Sequence, residues 1–432
     1  MRVATTPLWG FLLTACRSSF YVMVVKECIM VISSARQAAL HQARVHMDSL
    51  FALIRQDSLY ERGVPERHRI IFYLGHVEAF DWNQICRWTI GQSSFHPEFD
   101  ELFEAGIDPQ DGMLPQDQPS DWPSVDEVMQ YNNRVRDEVD QVFDDVPSHI
   151  RHMAIEHRWM HVETTAYILH RLSPGCKVAP PLLFPPESPP PVHQMIEIPA
   201  GTATLGRDSQ ATFGWDNEFE QDETSVPAFS MSKYMVTNGQ YLEFVKDGAA
   251  SPSLWIRRGE MWRLRTMFGE CVLPLDWPVY VSQREAQAYA TWAGLSLPTE
   301  AQFHRAAYGT WIGKEGEYPW GSEPPRAMHG NFGFTRWDPL PVTANPAGDS
   351  DFGVAQLLGN GWEWTSTVFS PFEGFTPYPT YPGYSARFFD QDHYVVKGAG
   401  PQTATCFLRR SFRNWFRPSY PYAHTGFRCV QN

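Results

Sequence analysis

A proline-rich segment, residues 173–193 (SPGCKVAPPLLFPPESPPPVH), divides this chain of 432 residues into two parts of different character. Proline fixes φ near about −65° and has no N–H, so this segment cannot form a regular helix. Such a stretch acts as a semi-rigid spacer. Because the chain is also longer than one typical core accommodates, we predict two domains joined by a linker at 173–193.

The residues before the linker show helical periodicity in four segments. From about residue 35, apolar side chains recur at spacings of three and four, and these are Leu40, Ala43, Met47, Leu50, Phe51 and Ile54. Comparable segments run over about 66–88, 124–143 and 148–172. Ser124 precedes two acidic residues and is typical of an N-cap. Four helices of this length predict a four-helix bundle over 35–172.

The residues after the linker, 194–432, predict an α+β domain with many irregular loops. MIEIPAGTATLGRD (195–208) indicates a strand, a turn and a strand. SQREAQAYATWAGLSLPTEAQFHRAAYG (282–309) indicates two short amphipathic helices, with Thr299 as the N-cap of the second. The remainder is rich in Gly, Pro and Trp, so the predicted fold class of the whole chain is α followed by α+β.

The amino-acid composition favours some classes of ligand for this chain and disfavours others. The net charge of −14 makes nucleic acid a poor partner. Aromatic residues make up 14% of the chain, which favours a site for flat or cationic ligands. The seven cysteines form no CxxC pair, so neither a zinc knuckle nor a disulfide framework is indicated. Scattered cysteines are typical of a reducing compartment, and we predict a cytoplasmic protein.

The first 34 residues differ from the rest and predict an N-terminal extension with two alternative origins. MRVATTPLWGFLLTAC resembles a signal peptide, which would make the protein exported. Alternatively, translation starts later, at Met23 or Met30. The apolar run over 20–32 contains Lys26 and Glu27, so it is too short and too charged to span a membrane.

Two histidines four residues apart are the first candidate metal ligands. In EHRWMHVETTAYILHRL, His157 and His161 would lie on one face of a helix, as in HExxH sites. Arg158 stands where a zincin protease carries its glutamate, which disfavours that class. His76 in the second helix would complete a three-histidine site with open positions, although a lone histidine there is also typical of a bundle core. Candidates for orienting the rings, or for ordinary surface charge, are Glu156, Glu163 and His152.

Several motifs together resemble a known family. GHVEAFDWN and EHRWMHVETTAYILHRL resemble the iron-ligand motifs of the DinB-like bundle in ergothioneine-type sulfoxide synthases. IPAGTATLGRD, FSMSKYMVTNGQYLEFV, GNGWEWTST and RRSFRNWFRPSYPYAHTGFRC resemble the formylglycine-generating-enzyme-like domain that follows it. The resemblance covers about residues 40–430. It implies an N-terminal DinB-like four-helix bundle followed by a C-type-lectin-like, sulfatase-modifying-factor domain.

The resemblance also implies an activity. Members of the family are mononuclear non-haem Fe(II) enzymes that use O₂ to join a thiol sulfur to the imidazole ring of hercynine, forming a sulfoxide in ergothioneine biosynthesis. The implied substrates are small molecules, with cysteine or γ-glutamylcysteine as the thiol. By resemblance, His76, His157 and His161 are the Fe(II) ligands, and a structural Ca²⁺ lies near Asn360.

Four residues near the C-terminus resemble the substrate pocket of the family. Asn414 and Trp415 match positions that line it, and Arg413 and Arg417 are cations beside them. A trimethylammonium group is held well by aromatic walls, although Trp415 is equally typical of core packing in a Trp-rich domain. At two further positions this chain carries a different residue from the one that many family members carry.

The departures concern ring recognition and the thiol donor. Many members carry Gln just before the last ligand histidine, where it reads the substrate imidazole, and this chain has Met160. Branches that use γ-glutamylcysteine carry an acidic residue after the Trp, and this chain has Phe416. We therefore expect ring recognition to differ here.

A tyrosine is expected to donate a proton in such a site. FDELFEAGIDP (99–109) has no tyrosine at the place where some members carry it. The loop SPFEGFTPYPTYPGYSARFF offers Tyr378, Tyr381 and Tyr384 instead. A phenol resists ionisation near neutral pH and suits this role. We take Tyr378 and Tyr384 as the candidates, and each is also typical of a structural residue.

Several alternatives remain open at this level. The chain can be a 5-histidylcysteine sulfoxide synthase of the ovothiol type, or a selenoneine synthase that uses a selenosugar. A formylglycine-generating oxidase needs a reactive cysteine pair, and Cys406 and Cys429 are single and widely spaced. A non-catalytic binding module is disfavoured by the three histidines.

Overall fold

The computed structural model describes residues 37–104, 114–178 and 188–432. The predicted N-terminal extension, residues 1–34, lies outside them, as does the later part of FDELFEAGIDP. A helical N-terminal part is followed by a part of mixed helices and sheets. This arrangement confirms the predicted fold class. Among the described residues, no helix combines the length and the apolar character that a membrane crossing needs.

Within its described residues, the N-terminal part contains four long helices and one short helix. They are α1 (37–51), α2 (Ile70–Asp81), α3 (Pro97–Leu102), α4 (Val125–Val142) and α5 (Ser148–Arg171). All twelve residues of α2 are buried, and α2 packs against both α4 and α5. It is therefore the central helix of the bundle. Its C-terminus continues into a π-helical segment, Trp82–Ile90.

Capping residues and periodicity in the sequence predicted some helix ends correctly and missed others. Ser124 caps α4 as predicted, since its hydroxyl accepts a hydrogen bond from the backbone N–H of Glu127. α2 begins four residues later than the predicted 66, because Arg69 has extended backbone with ψ of 157°. The short α3 was not predicted. Its apolar residues are too few to show a period, and its start depends on Pro97 and on the side chain of His96.

The C-terminal part contains three helices and twelve short strands. The helices are α6 (Asn238–Lys246), α7 (Gln283–Trp292) and α8 (Glu300–Tyr308). The strands are β1 (Met195–Ile198), β2 (Gly201–Leu205), β3 (Asp222–Val226), β4 (Phe229–Ser232), β5 (Trp255–Arg258), β6 (Met261–Arg265), β7 (Glu270–Val272), β8 (Gly361–Val368), β9 (Tyr394–Ala399), β10 (Asn414–Phe416), β11 (Thr425–Gly426) and β12 (Val430–Gln431). Many loops lie between these elements, as the composition predicts.

The strands form four small sheets. The largest has the order β10-β9-β8-β11, and the others are β1-β4-β12, β2-β3 and β5-β6-β7. β1 and β2 follow one another in sequence but pair with different strands, β4 and β3. Thr299 caps α8 as predicted, and α8 packs on β2, β8 and β9. The loop before β9 reaches the bundle, where the carbonyl of Thr380 accepts a hydrogen bond from Gln84 at 3.0 Å.

Helix α5 forms most of the described polar contacts between the two parts. Near its middle, Glu156 accepts two hydrogen bonds from the Arg409 guanidinium, at 2.8 and 2.9 Å. In its last turn, the His170 ring lies 2.8 Å from the His424 ring, nitrogen to nitrogen. The middle of α5 is thereby held against the C-terminal part, and this is where the candidate site lies.

Candidate metal centre between the bundle and the C-terminal domain

Three histidines meet in the interior of the bundle. His76 comes from α2, and His157 and His161 come from successive turns of α5. One ring nitrogen of each lies within 4.8 Å of the others, and all three residues are buried. Within 37–104, 114–178 and 188–432, this is the only group of three His, Cys, Asp or Glu side chains with such spacing.

The hydrogen bonds of the three rings leave nitrogen lone pairs for an ion. The Nδ1 of His76 lies 2.6 Å from the carbonyl oxygen of Phe103 and donates to it, which leaves Nε2 as the acceptor nitrogen. This Nε2 lies 3.1 Å from the Nε2 of His161. Neither ring nitrogen of His157 has a hydrogen-bond partner among the described residues. Buried nitrogens without partners are rare and need an explanation such as a bound ion.

The electrostatics of the site keep the rings neutral. Burial lowers the pKa of His76 to about 4. Burial also lowers the pKa values of His157 and His161 well below the ordinary histidine value, and the neighbouring histidines add to this shift. Neutral imidazoles bind metals without first losing a proton. An octahedral ion with bonds of about 2.1 Å separates adjacent ligand atoms by about 3 Å, close to the distance between the Nε2 atoms of His76 and His161. The residues therefore fit a divalent transition metal.

Aromatic rings hold two of the histidines in place. Phe80 stacks on His157 with a centroid distance of 3.5 Å and an interplanar angle of 11°. Phe72 stacks on His76 at 4.8 Å. Packing of this kind restricts the ring rotamers, so that little side-chain entropy remains to be lost when an ion binds.

Arg158, between the two histidines of α5, has a structural role. It is fully buried, and its Nη2 donates to Glu78 at 2.8 Å and to Asp81 at 2.5 Å. Both carboxylates lie on α2, close to His76. The ion pairs tie α2 to α5 and help to set the separation of His76 from His157 and His161. They also account for arginine at the position where zincins carry glutamate.

A cavity of about 540 Å³ opens beside the three histidines. One wall is the bundle, with Phe80, Gln84 and Met160. The opposite wall comes from the C-terminal part, and its residues include Tyr381, Tyr384, Asn414, Trp415, Phe416 and Arg417. The site is therefore built from both domains, and neither contains it alone.

Met160 and Tyr384, two predicted site residues, contact each other in the cavity. The Tyr384 hydroxyl donates to the Sδ of Met160 at 3.4 Å. The Tyr384 ring stacks on Trp215 at 4.1 Å, and burial raises the pKa of this tyrosine well above its ordinary value. A thioether is a weak acceptor, so this hydrogen bond is weak, and the phenol stays protonated because burial disfavours the charged phenolate.

The other predicted tyrosine does not line the cavity. The Tyr378 hydroxyl donates to the backbone carbonyl of Gly214. Its position therefore does not support the prediction that Tyr378 donates a proton to substrate. Tyr381, from the same loop, lines the cavity, with its ring 6.3 Å from that of His157 and 5.3 Å from that of Phe80. Folding of this loop, rather than its sequence, decides which phenol reaches the site.

Three of the four predicted substrate-pocket residues line the cavity. They are Asn414, Trp415 and Arg417. Trp415 also stacks on Phe369 at 4.2 Å, so it is both a core residue and a wall of the cavity. Arg413 is buried and outside the cavity, and its Nε and Nη2 donate to Glu300, each at 3.0 Å. The prediction that Arg413 binds substrate is not supported, because its guanidinium is used to stabilise the domain.

The three predicted orienting residues occupy different environments. Glu163 lines the cavity, where it accepts from Trp362 Nε1 at 2.6 Å and from Thr403 at 2.9 Å, and burial raises its pKa to about 7. Glu156 pairs with Arg409 between the domains. His152 contacts the backbone carbonyl of Ser148, one turn away on its own helix. Among the described contacts, none of the three hydrogen-bonds to a ligand histidine, so the predicted orienting role is not supported.

The amide of Asn360 is fully used within the protein. Its Oδ1 accepts from the Leu340 backbone N–H at 2.7 Å and from Asn331 at 3.2 Å. Its Nδ2 donates to the Leu340 carbonyl at 2.8 Å. This side chain does not present a free oxygen to a cation, and the structure gives no support for Ca²⁺ at Asn360.

Several cavity residues were not found from the sequence. Examples are Asn83 and Gln84 in the π-helical segment, and Arg67 and Tyr420, which bond to each other at 2.9 Å. Asn83 belongs to the motif GHVEAFDWN, Gln84 follows it directly, and Tyr420 belongs to RRSFRNWFRPSYPYAHTGFRC, so these motifs were the available signals. Arg67 lies outside the motifs, and tertiary packing brings all four residues to the site.

Comparison with known proteins agrees with the two-part architecture. Residues 182–432 match the family of sulfatase-modifying factor enzyme 1-like domains. Hercynine oxygenase from Mycolicibacterium smegmatis is 35% identical over 323 residues, which cover 68% of this chain and 74% of that protein. Hercynine oxygenase from Mycobacterium tuberculosis is 39% identical over 235 residues, 50% of this chain and 55% of that protein.

A longer relative matches both parts of the chain. Ergothioneine biosynthesis protein 1 from Schizosaccharomyces pombe is 30% identical over 431 residues, which cover 88% of this chain and 54% of that protein. The chain thus spans about half the length of some of the proteins that it matches. The match nevertheless extends across the bundle, the linker and the C-terminal domain.

Proposed function

The chain belongs to the sulfatase-modifying-factor-1-like family and, within it, to the ergothioneine-type sulfoxide synthases, and from this premise we propose that it joins a thiol to the imidazole ring of hercynine in an O₂-dependent reaction. The observation that carries the proposal is the cluster of His76, His157 and His161 beside a cavity shared by both domains. Three neutral imidazoles with open positions suit a non-haem metal that also meets its substrates.

We propose Fe(II) as the metal, with His76, His157 and His161 as its ligands. When bound, Fe(II) would supply activation of O₂ and would favour the thiolate form of the donor. The chain itself would bind and orient two small molecules and exclude water. Burial of the three histidines inside the bundle supports this division of roles.

The aromatic wall of the C-terminal part suits a betaine. Trp415 lines the cavity, with Tyr384 and Phe388 near its ring, each at 5.5 Å. Such rings attract a trimethylammonium group through cation–π interactions. Arg417 at the same wall is half-exposed, and its Nε lies 3.9 Å from the Asp392 carboxylate. It remains available to a substrate carboxylate.

We propose that Tyr384 is a proton donor during the reaction and regains its proton before the next turnover. Its hydroxyl lies in the cavity against Met160, and its raised pKa keeps it protonated at neutral pH. A buried phenol with a weak acceptor can transfer its proton to a stronger base that enters the site. Tyr381 is a second phenol that lines the cavity.

The residue after Trp415 bears on the choice of sulfur donor. Phe416 is uncharged and stacks on Tyr420 at 5.2 Å, where γ-glutamylcysteine branches carry an acidic residue. This environment favours cysteine over γ-glutamylcysteine. Histidine in place of hercynine, or a selenosugar in place of a thiol, are the alternatives that a substrate panel separates.

The chemistry of the cysteines does not favour a formylglycine-generating oxidase. Burial raises the pKa of Cys429 to about 12 and also raises that of Cys406. Both thiols therefore stay protonated, whereas copper binding and nucleophilic attack need thiolates. The five cysteines in the described residues are free thiols, which supports a reducing location such as the cytoplasm.

The test is O₂ consumption with mass analysis of products, on protein loaded with Fe(II) under anaerobic conditions. Hercynine and histidine are each combined with cysteine, γ-glutamylcysteine and a selenosugar. Uptake of O₂ that depends on hercynine and cysteine, with a sulfoxide product, is the expected result. Iron-loaded protein that turns over none of the pairs would overturn the proposal, and turnover with another pair would replace the proposed substrates.

A further inference from the structure

Gln84 is a cavity residue to which no role has been given so far. It lies in the π-helical segment Trp82–Ile90, and its side chain is 1% exposed. π-helical turns are rare and often occur at functional sites, because the additional residue per turn redirects the side chains that follow. Gln84 lines the cavity on the bundle side, eight residues after the metal ligand His76.

One end of the Gln84 amide is fixed by the protein. Its Nε2 donates to the backbone carbonyl of Thr380 at 3.0 Å. Because a carbonyl can only accept, this contact settles the orientation of the amide. Gln84 thereby also contacts the loop that brings Tyr381 and Tyr384 to the site. The oxygen at the other end of the amide, Oε1, takes no part in this bond.

The Oε1 atom of Gln84 is buried and has no hydrogen-bond partner among the described residues. Leaving such an acceptor unsatisfied destabilises the folded protein. Buried acceptors of this kind are normally satisfied by protein, water or ligand. Its position in the wall of a substrate cavity favours a ligand that brings a hydrogen-bond donor.

Neighbouring polar groups are already engaged. The Oδ1 of Asn83 accepts from Arg87 at 2.9 Å, and its Nδ2 donates to the Asp100 carbonyl at 3.3 Å. The Oδ1 of Asn414 accepts from the next backbone N–H at 2.9 Å. Of the three amide side chains that line the cavity, Gln84 is the one with an unpartnered buried oxygen in the described structure.

We propose that the Oε1 of Gln84 accepts a hydrogen bond from the ring N–H of the imidazole substrate and selects for a ring that carries this proton. The inference rests on the proposed function. Met160, on the facing helix, has a thioether that already accepts from Tyr384 and is a weak acceptor. The amide that recognises the ring thus comes from the π-helical segment of the bundle.

The test compares two ligands and three proteins. The ligands are hercynine and the betaine of 4-thiazolylalanine, in which a ring sulfur replaces the N–H. Their affinities are measured by anaerobic calorimetry on Fe(II)-loaded wild type, Gln84→Met and Gln84→Glu, without thiol donor. We expect wild type to bind hercynine about tenfold more tightly than the thiazole, a difference of about 1.4 kcal/mol. Gln84→Met should bind both ligands with nearly equal affinity.

Gln84→Glu is the matched variant, because a protonated carboxyl keeps an acceptor oxygen and can still donate to the Thr380 carbonyl. It should retain the preference for hercynine. Iron content and melting temperature of each variant show whether the site remains intact. A preference that survives in Gln84→Met with full iron content would overturn the role of Gln84. Failure of wild type to bind hercynine at all would instead overturn the proposed function.

Discussion

The Nε2 atoms of His76 and His161 lie 3.1 Å apart, although 85 positions of sequence separate the two residues. Two like-charged imidazolium rings could not approach so closely in a buried site, and burial lowers both pKa values so that the rings are neutral. The separation matches two adjacent ligands of one metal ion. The pair therefore relates the packing of α2 against α5 directly to the chemistry of the site.

Replacing a ligand histidine should remove the metal. We expect His157→Ala to lower the iron content of anaerobically loaded protein by more than about tenfold, because two remaining imidazoles hold the ion weakly. Metal analysis after desalting measures this, and O₂ uptake should fall with it. His149→Ala, an exposed histidine at the start of the same helix, is the control and should keep its iron. Full iron content in His157→Ala would exclude this residue as a ligand.

Replacing Tyr384 and replacing Tyr378, two of the three tyrosines in the loop before β9, should have different effects on activity. We expect Tyr384→Phe to lower kcat about a hundredfold while iron content stays constant, since it removes the proposed proton donor. Tyr378→Phe should retain most of the activity, because that hydroxyl donates to the Gly214 carbonyl outside the cavity. Rapid-mixing O₂ consumption with both substrates measures the rates. Equal losses in the two variants would indicate a structural effect of the loop.

Arg409 should be important for joining the two domains. Its guanidinium donates to Glu156 at 2.8 Å and to Glu218 at 2.5 Å, and both carboxylates are buried. Arg409→Met removes the nearest cation from both buried carboxylates, and we expect the free energy of unfolding to fall by about 3–5 kcal/mol. Urea denaturation measures this. Arg257→Met, which breaks an exposed pair with Glu260, should change stability little.

Asp338 should make stability depend on pH. Burial raises its pKa from 3.8 to about 6, while its carboxylate accepts from the Met267 backbone N–H at 3.1 Å. The folded protein therefore holds this proton more tightly than the unfolded chain. The resulting stabilisation is complete below pH 3.8 and is lost as the pH rises through about 6.

Asp338→Asn keeps the acceptor oxygen and removes the titration. When the pH rises from 5 to 8, the unfolding free energy of wild type should fall by about 1 kcal/mol relative to that of Asp338→Asn. Urea denaturation at the two pH values measures the difference. Stability curves of variant and wild type that run parallel over this range would show that the Asp338 carboxyl has an ordinary pKa.

Much of the local structure was predictable from neighbouring residues. The caps at Ser124 and Thr299 depend on side chains that bond to backbone groups three residues away, and both are confirmed. The positions of His157 and His161 on one helix follow from a spacing of four. Such interactions join residues that lie within one or two helical turns of each other. A pattern in the linear sequence is therefore enough to predict them.

The sequence by itself determined the fold class, the four long helices and the histidine spacing on α5, since these depend on periodicity and short-range hydrogen bonds. Tertiary structure alone decided that Tyr384 enters the cavity while Tyr378 does not, and that Arg413 pairs with Glu300. It also decided that Gln84 faces the site from a π-helical segment. These outcomes depend on contacts between residues distant in sequence, whose partners are selected by close packing and by the cost of leaving buried polar groups unpaired.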